Sequence, residues 1–179
     1  MDRSALIKSI QNYTTSFREE AAFIEDFLQL LEHPRAFYRD HLPGHITGSA
    51  WIVDEGRTHV LLTHHAKLNR WLQPGGHADG EENVLGVALR EAVEETGLQS
   101  IRVISPTIFD LDIHPIPARE DFPQHHHYDV RILMQASINE KFTVTEESHD
   151  LAWVPLDEVP LRSGQNISMI RMRRKTTLS

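Results

Sequence analysis

Phe17, Ala21, Ile24, Leu28 and Leu31 return at intervals of three and four residues, the period of a helix with one buried face, and Pro34 ends the run. Ser16 followed by Glu19 has the form of a capping box at its start, and Ser4 can cap a shorter helix reaching Tyr13. Beyond about residue 45 the pattern changes. Four runs rich in β-branched and aromatic residues, Ile46 to Val53, Thr58 to Thr63, Ser100 to Ile113 and Tyr128 to Ala136, read as strands. Asp54-Glu55-Gly56 supplies a hairpin turn between the first two. Residues 157 to 179 read as a short turn and a final helix closed by Arg171, Arg173, Arg174 and Lys175, a basic end that compensates the helix dipole and aids solubility. Strands on both sides of a central helix, with further helices before and after, make an α/β fold with a mixed sheet covered on its faces. The chain therefore divides into a helical extension, residues 1–45, and a main domain, residues 46–179. The extension is expected to pack on the core; a sheet edge, a dimer interface or the substrate cleft are the other places for it.

The central helix is the most informative segment. Val84, Leu85, Ala88, Leu89, Ala92 and Val93 form its buried stripe, Asp79 with Glu82 has the form of a capping box, and Gly97 with Leu98 supplies a left-handed stop. The helix is expected over Gly80 to Thr96. At about 100° per residue, Glu94 and Glu95 fall about 60° and 40° to either side of Glu91, so three carboxylates share a face beside Arg90. Such a face can be a solvated stripe. Lining a cleft, however, two charges roughly 4 Å apart repel by about 4 kcal/mol at an effective dielectric near 20, which favours a bound cation. Hard oxygen ligands with room for water suit Mg²⁺ or Mn²⁺. Pro74-Gly75-Gly76 just upstream can bring bare backbone against a ligand, which makes Gly76 a substrate-binding candidate.

The block Gly76, Glu82, Arg90, Glu91, Glu94, Glu95, Gly97 and Leu98 resembles the signature of the Nudix hydrolases, G-x5-E-x7-R-E-U-x-E-E-x-G-U, with U aliphatic. Every spacing is met; Ala92 stands where a larger aliphatic residue is usual, which bears on packing alone. The resemblance implies an α/β/α sandwich that hydrolyses the pyrophosphate bond of a nucleoside diphosphate linked to another moiety, with Mg²⁺ or Mn²⁺ as cofactor. It implies Glu91 and Glu95 as metal ligands, Glu94 close behind, and the Gly75 carbonyl as a further ligand. Arg90 orients Glu91, and Glu82 acts in an outer shell. Glu91 or a later acid serves as base. Family members often add an acid from a distant loop, and Glu146 (metal) or Glu147 (base) lies where one is expected. The other reading is a Nudix-like sensor that binds nucleotides without cleaving them, although such proteins usually lose part of this acidic set. Isomerases sharing the fold rely on a catalytic cysteine, and this chain has none.

Composition narrows the setting. A 179-residue chain with 40% hydrophobic and 25% charged residues is ordinary for one domain with an extension. A net charge of −8 argues against a nucleic-acid duplex as partner, and zero cysteines exclude disulfides and thiolate metal sites. With neither a long apolar run nor a basic-then-apolar leader, no membrane partner and a cytoplasmic location are the default expectations. Histidine is unusually frequent, twelve in all, with His125-His126-His127 consecutive and His64-His65 before the glycine turn. In extended strands Asp110, Asp112 and His114 share one face, and His125, His127, Asp129 and Arg131 another. If those faces meet they can hold a second metal or grip substrate phosphates. His114 and His127 are candidates for substrate recognition, and Trp71 for stacking on a base, against the simpler role of core packing.

Overall fold

The strand Gly44–Val53 (β1) is buried along its whole length, which is why its sequence shows no apolar alternation: both faces of the sheet are covered there. The computed structural model describes residues 1–66, 69–119, 122–145 and 148–178. The helices Arg3–Gln11 (α1) and Arg18–Leu31 (α2) precede β1. His59–His65 (β2), Arg70–Leu72 (β3) and Gly75–His77 (β4) follow, and then the helix Val84–Thr96 (α3). The chain continues through Arg102–Val103 (β5), Asp110–Ile116 (β6), His125–Gln135 (β7) and Ser148–Pro155 (β8) to the helices Val159–Arg162 (α4) and Ile167–Leu178 (α5).

The eight strands of the described residues belong to one mixed sheet. β1 runs parallel to β7 in unbroken register from Gly44 beside His126 to Val53 beside Gln135. Its other edge is shared, β4 pairing antiparallel with Thr47 to Ser49 and β2 with Ile52 and Val53. β8 and β3 extend the sheet from β2, while β5 and β6 pair with β7. One face carries Ile46, Ala50, Ile52, Val130 and Ile132 against Val84, Val87 and Ala88 of α3 and Leu6, Ile10 and Phe27 of α1 and α2. On the other, Trp51, Val53 and Leu62 pack on Met169 and Met172 of α5, and Trp51 Nε1 donates to Thr176 Oγ1 at 2.8 Å. The result is the expected α/β/α sandwich. Among the described residues no helix is long and apolar enough to cross a membrane.

Several expectations about local structure need correction. The capping box expected to start α3 at Gly80 is absent: Asp79 sits at φ 50° paired with Arg39, Glu82 is held by Arg3, and Asn83 caps a helix beginning at Val84. Gly97 does end that helix in the left-handed conformation. Asp2, not Ser4, caps α1, and α2 starts without a side-chain cap. Before α2 the turn is organised by Thr15, whose Oγ1 accepts from Phe17 N at 3.1 Å and donates to the buried Glu20. The run from Ser100 to Ile113 is two strands rather than one.

Two cations of the basic end of α5, Arg171 and Lys175, turn inward. Arg171 is 2% exposed and donates from Nε to Asp110 Oδ2 at 2.8 Å, while Lys175 Nζ donates to Glu20, to Asp110 Oδ2 at 2.8 Å and to the Phe109 carbonyl at 2.9 Å. These two cations neutralise buried carboxylates, so dipole compensation and solubility are the wrong account of them.

Candidate active site

Two acids of α3 reach the short strand β4 because α3 packs closely on the sheet at Gly48. A Cβ on Gly48 of β1 would meet Val84 O at 3.0 Å and Ala88 N at 3.1 Å, so the glycine lets the helix settle. Gly75 N then donates to Glu95 Oε1 at 3.1 Å. The Cα of Gly76 faces the carboxylate of Glu91, where an added Cβ would lie 2.5 Å from the carboxyl carbon. Arg90 locks this arrangement: Nη1 donates to Glu91 Oε1 at 2.7 Å and Glu94 Oε2 at 3.0 Å, and Nη2 to the His77 carbonyl at 3.0 Å. Burial alone would lower the Arg90 pKa, but Glu91 and Glu94 raise it above the ordinary value, so the guanidinium stays charged.

The three glutamates do not stand equally. Glu95 is buried and Glu91 half-buried against β4, whereas the Glu94 side chain is 58% exposed and turned to Arg90. Glu91 and Glu95 thus form the inner pair. Glu82 lies with Arg3, its Oε1 accepting from Arg3 Nε at 2.9 Å, and ties the extension to the loop before α3. Glu146 and Glu147 lie outside the described residues.

A polar network begins on the far side of β4. A Cβ on Gly75 would fall 2.1 Å from Ser49 Oγ, and that hydroxyl donates to Asp129 at 2.7 Å. Asp129 also accepts from Thr47, from Gln73 Nε2 at 3.2 Å and from Arg131 Nε at 2.8 Å. Arg131, 3% exposed, spends its other nitrogens on Asp110 and Asp112, both at 3.1 Å. Burial opposes its charge, yet Asp112, Asp129 and Asp110 raise its pKa; burial likewise opposes ionisation of Asp112, but Arg131, His114 and Arg171 hold that carboxyl well below the usual range. Arg131 is committed inside the fold, each of its three nitrogens donating to an aspartate. Ser49, Thr47 and Gln73 were not visible as a set in the sequence, because only the pairing of β1 with β4 and β7 assembles them.

The histidines collect on the same face. β6 and β7 place Asp110 opposite Arg131, Asp112 opposite Asp129 and His114 opposite His127. The parallel pair sets His45 beside His127, and β4 sets His77 beside Thr47. The ring of His127 lies 5.1 Å from His45, 4.9 Å from His77 and 5.5 Å from His114. Burial and the neighbouring histidines lower the pKa of His127 to about 2; burial, with His77 and Arg39 as the leading charges, takes His45 and His77 each to about 4. His114 keeps Nδ1 on Asp112 at 3.1 Å. Trp71 lies elsewhere: it stacks on His64 at 5.0 Å, has Arg162 4.5 Å from its ring centre, and packs on the second core cluster. Its ring surface is engaged within the fold.

A mixed sheet between helical layers, with an arginine-braced pair of glutamates on a glycine strand, defines a Nudix-type sandwich. The model of the NUDIX domain matches residues 43–174, and the chain belongs to that family, whose hydrolases generally use divalent metal ions. A zebrafish (Danio rerio) protein named m7GpppN-mRNA hydrolase NUDT17 is 33% identical over 98 residues, covering 50% of this chain and 33% of that protein. A Streptomyces rubellomurinus CMP-5'-(N-acetyl-N-hydroxy-3-aminopropyl)phosphonate hydrolase is 31% identical over 123 residues, covering 65% of this chain and 56% of that one. The match therefore spans between a third and just over half of these relatives' length. Among solved structures, an Ap4A hydrolase from C. elegans aligns with a TM-score of 0.60 at 16% identity, covering 74% of this chain and 95% of that one. A NUDIX-family hydrolase from Clostridium perfringens aligns with a TM-score of 0.56 at 24% identity, covering 75% and 97%. These structural likenesses concern the fold.

Proposed function

We propose that the chain is a divalent-metal-dependent Nudix pyrophosphohydrolase acting on a nucleoside diphosphate joined to a second moiety. The observation that carries this reading is the convergence of Glu91 and Glu95 on Gly75-Gly76, braced by Arg90. The donor set fits a hard divalent ion: two inward carboxylates stand against a strand whose glycines leave no side chain in the way, with the Gly75 carbonyl as a further oxygen. Glu91 and Glu95 would hold Mg²⁺ or Mn²⁺, and the more exposed Glu94 would take part through Arg90. Such an ion supplies neutralisation of developing phosphate charge and a lowered pKa for bound water. Arg90 fixes the Glu91 carboxylate by linking it to the His77 carbonyl, so the acid is positioned before substrate arrives. The proton of the attacking water would go to Glu91 or to a later acid, Glu147. Gly76 brings backbone to the substrate, and His114 contacts it from the sheet face. Residues 46–179 form the catalytic domain, and residues 1–45 pack Leu6, Ile10 and Phe27 into its core.

The named substrates of the relatives, a capped messenger RNA and a CMP-linked phosphonate, share a nucleotide joined through phosphorus to a second group, the class expected here. The test is a phosphate-product screen over dinucleotides, nucleotide sugars, ADP-ribose, nucleoside triphosphates and CMP conjugates with Mg²⁺ or Mn²⁺. One class should be cleaved to two phosphate-bearing products, and Glu91→Gln and Glu95→Gln should each reduce turnover by at least about a thousandfold, near 4 kcal/mol of barrier. Full activity in chelator, or in both folded variants, would overturn the reading.

A further inference from the structure

Two buried ring nitrogens, Nε2 of His45 and Nε2 of His127, have no hydrogen-bond partner among the described residues. With His77 they bring three imidazole nitrogens within 4.8 Å of one another, at a spot where His45 is fully buried and the other two are half-buried. An interior polar atom without a partner is uncommon, because its lost hydration is not replaced. Two such atoms in one group of imidazoles suit a ligand that takes their lone pairs.

We propose that His45, His77 and His127 form a binding site for a transition-metal ion of the Zn²⁺ class, separate from the acidic face of α3. Imidazole ligands suit Zn²⁺, Co²⁺, Ni²⁺ and Cu²⁺, whereas Mg²⁺ prefers oxygen ligands. The strand β4 keeps the two places apart: Gly76 faces Glu91, and His77, the next residue, faces the opposite side of the sheet with the other histidines. Supporting contacts of the kind seen behind metal-bound histidines are present. His45 has Nδ1 towards the His41 carbonyl at 3.4 Å, leaving Nε2 as the ligand atom. His125, whose ring is 5.1 Å from His45, has Nδ1 on the Pro123 carbonyl at 2.9 Å and stands beside the triad with Nε2 free of that bond. Coordination at about 2.1 Å draws the three nitrogens together by small ring rotations and leaves a fourth position for water or a substrate oxygen.

The test uses the full chain stripped with chelator, then dialysed against Zn²⁺ or Co²⁺. Glu91→Gln/Glu95→Gln, in which the acidic face is disabled, should still take up one equivalent of Zn²⁺ and show a visible Co²⁺ spectrum of a nitrogen-rich site. His45→Ala and His127→Ala should each weaken Zn²⁺ binding by roughly a hundredfold or more, because the folded protein loses one of three ligands. X-ray absorption of the Zn²⁺-loaded wild type, which needs no variant, should show imidazole scattering from three rings. Absence of imidazole scattering, or uptake that vanishes with the glutamates and survives loss of the histidines, would overturn the proposal. Its outcome is independent of whether the protein cleaves a nucleotide.

Discussion

Gly76→Ala separates the positioning of Glu91 from the stability of the fold. The new Cβ would lie 2.5 Å from the Glu91 carboxyl carbon and Oε2 and 2.7 Å from Oε1. Ordinary carbon–oxygen contact begins near 3.4 Å, so the carboxylate must retreat by about 1 Å, and a misplacement of that size costs on the order of a hundredfold in rate, about 2.7 kcal/mol of barrier. The fold should hardly notice. Gly76 is not among the positive-φ residues, and what the Cβ meets is the end of a flexible side chain. Replacing glycine in a permissive conformation narrows the unfolded ensemble and stabilises by about 0.4–1 kcal/mol, so the melting temperature should hold or rise slightly. The assay is kcat and KM on the best substrate over a range of Mg²⁺ concentrations, beside a thermal melt. Gly75→Ala is the contrast: its Cβ would fall 2.7 Å from the Cα of Ser49, which forces β4 off β1, so both stability and activity should drop. Activity of Gly76→Ala within about threefold of wild type would refute the placement of Glu91 at the chemistry, since a hundredfold loss is what that placement demands.

Arg90→Ala should lower kcat by roughly 10–100-fold while changing KM little, because Arg90 acts through Glu91; a loss matching Glu91→Gln would show direct contact with the reacting groups. Arg131→Met leaves Asp110, Asp112 and Asp129 without their shared cation and should cost about 3–5 kcal/mol in urea unfolding; a loss under 1 kcal/mol would mean the network is not held by that charge. Asp110 and Asp112 have carboxyl pKa values depressed in the folded state, with arginine contacts overcoming burial. The stability they contribute is fully present above the unfolded carboxylate pKa near 4 and is lost as pH falls through the lower folded values. Unfolding midpoints measured downward from about pH 5 should therefore decline most steeply below pH 4, and Asp112→Asn should flatten that decline; a curve of unchanged shape would assign acid sensitivity to other groups.

What could be read directly from the sequence was local. The stripe of α3, its glycine stop and the spacing of Arg90, Glu91, Glu94 and Glu95 all lie within one helix, where 3.6 residues per turn converts spacing into direction. The start of that helix was misplaced because Asp79 and Glu82, which match a capping box, are claimed by distant partners, Arg39 and Arg3. A local pattern lost to tertiary ion pairs. The same competition explains α5, where Arg171 and Lys175 turn inward onto Asp110 and Glu20. Glu91, Glu94 and Glu95 share an angular sector on paper, yet only the approach of β4 decides that Glu91 and Glu95 turn inward and Glu94 does not.

The histidine cluster lies at the other end of this scale. Alternation along β6 and β7 indicates which residues share a face, but His45, His77 and His127 come from three strands, joined by a parallel register and a three-residue antiparallel one. Shifting either register by one residue would turn its histidine to the other side of the sheet and dissolve the triad. β4 itself, Gly75-Gly76-His77, has no residue that favours a strand. It is held by its ladder to β1 and by the bond from Gly75 to Glu95. Its glycines admit the acids of α3 on one side, and its histidine completes the imidazole set on the other. The segment with the weakest strand character is thus the one through which both candidate metal sites are built, and its lack of side chains is the condition for the first of them.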